Sequence, residues 1–164
     1  MEQRVLEPMG WTIFKNNYPQ YIGTADHEPP MQWSPVVARW VGALKPDVNT
    51  GIEAQPDRDS KLLDPWDVWP KIGNCCDYTV TKRAEMLDEH KPASCLLIAE
   101  IELTPTLHHL VLVLRTTNGL IVLDNRTPAL MSLQDTGYKV VRMQSSKNFG
   151  WWITETAAAG LQRS

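Results

Sequence analysis

The sequence predicts an α+β domain, and three observations carry that expectation. The first half holds two cap-then-proline signatures, one of them followed by helical spacing, and the second half is a succession of strand-patterned runs divided by turns. Between the halves lies residues 73–87, GNCCDYTVTKRAEML, where an N-cap residue introduces a helix that opens on a cysteine pair.

Residues 1–33 are rich in Pro, Asn and aromatics (Trp11, Phe14, Tyr18, Tyr21, Trp33) without a sustained period, which predicts irregular structure packing rings onto a core. Ser34-Pro35 then caps a helix over 34–44, with Val36, Val37, Trp40, Val41 and Leu44 recurring on one face. Lys45-Pro46 ends it, and residues 47–61 read as a mobile surface loop. Asp64-Pro65 repeats the cap signature, so 65–69 form one short turn that brings Trp66 and Trp69 beside the cysteines. The next helix runs from Cys75 to about His90, with Lys82, Arg83 and Glu85 facing water and Pro92 marking its end.

Strands follow. Cys95, Leu97, Ala99, Ile101 and Leu103 alternate with Leu96, Ile98, Glu100 and Glu102, a period of two that buries the first set. Residues 109–115 are apolar on both faces and belong inside the sheet. Asn118-Gly119 turns the chain, 120–124 return antiparallel, and 138–144 and 149–153 add two more strands. The tail, 154–164, is small and polar and expected to fray.

The 164 residues suit one domain over 1–153 with a single core. A net charge of −3 with scattered Lys and Arg gives no basic stripe, so nucleic acid is not an expected partner. No apolar run is long enough for a membrane span, and MEQRVLEPMGW lacks the apolar segment of an export signal, although a processed chain would look the same. Three cysteines, two of them adjacent, make a poor disulfide framework and read as free thiols compatible with a reducing compartment.

The chemistry resides in the cysteine pair. Asn74 caps the helix and Asp77 stands three residues on, so Cys75 is the first helical residue, where the positive end of the helix dipole favours thiolate. His108-His109 opens one strand and Asp124 ends the next, and Cys, His and Asp in that order suggest a thiol hydrolase. Cys95, on an apolar strand face, is core; Cys75 and Cys76 remain nearly tied as nucleophile. Zinc fits poorly, because structural zinc sites separate paired cysteines by two to four residues. Strand parity bears on the histidines. A four-residue loop over 116–119 sets Arg115 opposite Leu120 and Val111 opposite Asp124, making His109 the diagonal neighbour of the acid. A two-residue Asn118-Gly119 turn puts them roughly 13 Å apart, and a three-residue loop or a bulge favours His108.

G-x-C-x-D-Y leading a helix (Gly73, Cys75, Asp77, Tyr78), H-x-V-L on a strand (His109, Val111, Leu112) and V-L-D-N closing the next (residues 122–125) resemble the bacterial transglutaminase-like cysteine proteases of the LapG type. The resemblance covers roughly residues 60 to 153 and matches 1–60 only loosely. It implies a papain-like, transglutaminase-like core, with N-terminal helices packed on an antiparallel sheet, and it implies Cys75 as nucleophile, His109 as base and Asp124 as the residue orienting the imidazole. It also implies a protein or peptide substrate, cleaved through an acyl-enzyme. The family usually reads G-D-C-E-D-Y, and its adhesin-cleaving members bind calcium through acids flanking the cysteine; here Asn74 and Cys76 stand in two of those places and Asp77 alone remains. The expectation is therefore no cofactor, with calcium implied by the resemblance alone. A periplasmic compartment is implied the same way, against a cytoplasmic reading of the sequence. The competing functions are a cell-wall peptide amidase of papain-like fold and a non-catalytic binding domain that kept the fold.

Overall fold

In the computed structural model, which describes residues 2–55, 65–127 and 129–154, most of the helix precedes most of the sheet. The order is β1 (Arg4–Val5), α1 (Met9–Asn17), a 3-10 turn at Pro19–Tyr21, α2 (Pro35–Gly51), β2 (Glu53–Ala54), β3 (Ile72–Gly73) and α3 (Cys75–Asp88). A second 3-10 turn, Ala93–Cys95, leads into β4 (Leu96–Thr104), β5 (Leu107–Thr116), β6 (Gly119–Leu123), β7 (Met131–Ser132), α4 (Leu133–Thr136), β8 (Lys139–Gln144) and β9 (Trp152–Thr154). Seven strands form one antiparallel sheet in the order β1-β9-β8-β4-β5-β6-β7, and β2 and β3 pair parallel in a separate ribbon.

The central strands are apolar on both faces because both faces are covered. Leu97, Ala99, Val111, Val113, Val122 and Met143 pack on one side. Ile98, Leu110 and Trp152 meet Trp11, Phe14, Trp66, Cys76 and Val80 on the other, while Leu96, Leu112 and Leu114 meet Val41 and Met86. Leu96, Ile98 and Glu100 are therefore as buried as the set expected to face inward. Cys95 is core, though it sits in the 3-10 turn before the strand.

Several other expectations give way to tertiary packing. Within 1–33, Trp11 and Phe14 are three residues apart on one side of α1 and stack at 5.4 Å, so the helix forms by burying two rings rather than by a long periodic stripe. Arg4–Val5 adds an edge strand against β9. α2 does not stop at Lys45 but passes through Pro46 to Gly51. Proline there removes the amide that would bond to the Gly42 carbonyl, but Gly42 is exposed and Val48, fully buried against Ile52 and Tyr78, anchors the last turns. Residues 56–61 of the expected loop, and Asp64, lie outside the described residues. Residues 65–70 carry no regular structure beyond bends at Val68 and Trp69, not a helical turn. Phe149 and Gly150 belong to a turn, Gly150 at φ +84°, and the last strand starts at Trp152. Thr154 is paired with Arg142, and 155–164 lie outside the described residues.

The helix of the cysteine pair ends at Asp88, and of the residues expected to face water Glu85 is partly exposed while Lys82 and Arg83 are not. Lys82 and Arg83 are 1% and 3% exposed. Arg83 donates to the carbonyls of Leu96 (3.2 Å), Tyr21 (2.5 Å) and Ile22 (2.8 Å) and lies 5.2 Å over Trp11, so the guanidinium fork ties α3 to β4 and to the N-terminal segment. Burial lowers its pKa to about 10.

Candidate active site

α3 begins where the sequence places it. Asn74 is extended and its side chain accepts from the Cys76 amide at 3.0 Å, while Asp77 Oδ2 accepts from the Asn74 amide at 2.9 Å. Asp77 Oδ1 accepts from the Asp67 amide at 2.8 Å, so one carboxylate fixes the cap and the approach to it. Burial raises its pKa. Gly73 has to be glycine: a Cβ there meets Asp77 Cβ and Oδ2 at 2.8 Å each. Two turns on, the Trp69 amide donates to Thr81 Oγ1 at 2.9 Å and its indole to Glu85 Oε1 at 2.6 Å, holding Trp69 at the positive φ of 51°. Cys75 is thus presented half-buried on the first turn, and Cys76 points into the apolar core.

The register of β5 and β6 decides which histidine meets the acid. Thr116 pairs with Gly119, Arg115 with Leu120 and Leu112 with Leu123. Continued by one pair, that ladder sets Val111 opposite Asp124 and makes His109 its diagonal neighbour. His109 Nε2 is 2.7 Å from Asp124 Oδ1, with both residues buried. His108 points elsewhere, its Nδ1 3.5 Å from Glu100 Oε2 beside Arg142.

The electrostatics join the three groups. The Cys75 pKa lies well below its ordinary value: hydrogen bonding with the Cys76 thiol is the largest cause, burial opposes it, and His109 and the Leu110 amide lower it further. Burial would lower the His109 pKa, but Asp124 and Cys75 outweigh that and raise it to about 9. Asp124 is pulled to about 2, because hydrogen bonds and charge, chiefly from His109, overcome its burial. These directions favour charge separation between Cys75 and His109 with the Asp124 carboxylate behind the imidazole, and Asp124 engages the Nε2 side of the ring.

Three contributors are not visible in the sequence pattern. Tyr138, just before β8, donates its hydroxyl to Asp124 Oδ2, and burial together with that bond raises its pKa to about 12. The Arg126 amide adds a bond to Oδ1 at 3.0 Å. Thr79 Oγ1, on α3, donates to the Leu110 carbonyl at 3.1 Å and fixes the helix against the histidine strand. No local spacing links residue 138 to residue 124; the cue is only an amphipathic ring after Gly137, whose φ of +68° closes α4. Among the described residues no three His, Cys, Asp or Glu side chains cluster as metal ligands, so the zinc arrangement of cysteines and histidines does not form.

Comparison with known proteins agrees with the fold. Three solved structures of LapG from Legionella pneumophila superpose on the chain: a calcium-bound form (TM-score 0.58, 18% identity, 91% of this chain and 81% of that one), an EGTA-treated form (0.59, 17%, 93% and 82%) and a third (0.57, 16%, 96% and 89%). No curated protein matches the sequence. The family model for the bacterial transglutaminase-like cysteine proteinases matches residues 1–158, and the chain belongs to that family of cysteine peptidases.

Proposed function

We propose that the protein cleaves a peptide or amide bond with Cys75 as nucleophile, His109 as general base and acid, and Asp124 as the group orienting the imidazole. The observation that carries this is the His109–Asp124 bond of 2.7 Å behind a cysteine whose pKa is depressed at a helix N-terminus. The Cys75 thiolate adds to the carbonyl carbon, and the carbonyl electron pair moves to oxygen. The Cys75 amide, first of α3 and without an intrahelical partner, is placed to stabilise that oxyanion. Collapse expels the amine, which takes its proton from the imidazolium, and leaves a thioester on Cys75. Water, losing its proton to His109, then adds to the thioester and frees the acid and the thiolate.

Calcium does not fit the residues beside the nucleophile. Asn74 accepts from the Cys76 amide, both Asp77 oxygens accept amides of Asn74 and Asp67, and Cys76 is buried among apolar side chains. The Asn74 and Asp77 oxygens thus already accept backbone amides at the start of α3 and on the approach to it.

The test is digestion of a peptide library followed by mass spectrometry. Wild type should cleave and carry a transient acyl adduct on the Cys75 peptide, and Cys75→Ala should do neither. Equal cleavage by Cys75→Ala would overturn the proposal.

A further inference from the structure

Asp124 stands one residue beyond the last paired position of β6, so the sheet does not hold its backbone. The chain bends at Asn125 and Arg126 before β7 begins at Met131. Among the described residues, the side chains from outside this segment that bond its backbone carbonyls come from one helix. Lys45 and Asn49 are four residues apart on α2 and therefore lie on one face. Lys45 Nζ donates to the Thr127 carbonyl, and Asn49 Nδ2 lies 3.4 Å from the Asp124 carbonyl. The two donors thus grip both ends of residues 124–127.

We propose that Lys45 and Asn49 are positioning residues that clamp this segment and keep Asp124 Oδ1 on His109; the inference rests on the catalytic roles proposed for Asp124 and His109. Asn49 falls beyond Pro46, so the clamp exists only because α2 continues past its proline. Lys45 is 2% exposed, an expensive place for an ammonium group, and an apolar side chain there would suit a purely structural helix better. Its charge interacts favourably with the Asp124 carboxylate, as does that of Lys82, which is buried on α3. Around Asp124 the charged and titratable groups are thus His109, Tyr138, Lys45 and Lys82, with the exposed Arg126 two residues on.

This clamp predicts a separation that simple packing does not. In Lys45→Met the stem is kept and the charge and hydrogen bond are lost. Its melting temperature should equal or exceed that of wild type, kcat should fall about tenfold, and KM should stay within about twofold, because the change displaces a catalytic group and touches no substrate. The same substitution placed in Cys75→Ala protein should make the His109 Nε2 proton, shared with Asp124, exchange with solvent about tenfold faster by NMR. That readout needs no activity, so it tests the clamp even if Cys75 proves not to be the nucleophile. Asn49→Ala, a milder change at a half-exposed site, should move both readouts the same way by about threefold and serves if Lys45→Met does not fold. Unchanged proton exchange in a folded variant would overturn the inference.

Discussion

Removing the Tyr138 hydroxyl isolates one part of the acid's support. Tyr138→Phe keeps the ring packed against the apolar core of that sheet face and deletes the donor on Asp124 Oδ2. Asp124 is 1% exposed, so the oxygen left behind cannot recover the bond from bulk water. A hydrogen bond to a buried charge contributes about 1.5–3 kcal/mol. By linkage, the same energy raises the Asp124 pKa by about 1 to 2 from its position near 2. Asp124 then stays ionised at neutral pH, and activity there should fall modestly. The sign of the pH effect follows from the depressed folded value: this carboxylate stabilises the fold above its unfolded pKa of about 3.9, and the stabilisation is lost as pH falls through the folded pKa. In Tyr138→Phe that loss should begin at a higher pH. Urea unfolding at pH 7 should show about 1.5–3 kcal/mol less stability, and thermal unfolding a decrease of about 3–12 °C. A variant within about 0.5 kcal/mol of wild type at both pH 7 and pH 4 would refute the reasoning.

Two further outcomes follow from the cap of α3. Gly73→Ala drives a Cβ against Asp77 and must displace the carboxylate that closes the capping box, so stability should drop by about 1 kcal/mol and kcat/KM about tenfold or more, read by denaturation and peptide turnover. Because the Asp77 oxygens are engaged by amides, EGTA should leave kcat/KM within about twofold and added calcium should not raise the melting temperature.

The sequence made the cap of α3 and the β5–β6 register legible because both rest on local rules. An N-cap followed by Asp three residues on needs no partner elsewhere, and parity along two neighbouring strands converts a loop length into a side-chain neighbour. Those two rules narrowed the site to Cys75 or Cys76 and to His109 or His108, and the resemblance to the family chose the first of each pair. What stayed hidden was set by distant partners. Pro46 reads as a helix end because the local rule is sound, yet buried Val48 and Lys45 carry the helix past it. Lys82 and Arg83 read as a solvated face because their charge says so, yet three backbone carbonyls and a tryptophan ring give the Arg83 guanidinium a buried place. Tyr138 approaches Asp124 from the connection between α4 and β8, a tertiary meeting that no window of sequence encodes.

The central claim is that Cys75 is held as a thiolate at the start of α3 by hydrogen bonding with the Cys76 thiol and by His109. Its alkylation rate with iodoacetamide, followed from about pH 6 to pH 8, tests this directly. The rate should be nearly level across that range, since the thiol pKa lies well below ordinary values and the imidazolium persists to about 9, and His109→Ala should restore a steep rise. A wild-type rate that climbs about tenfold per pH unit, as for a free thiol of pKa near 8.5, would contradict it.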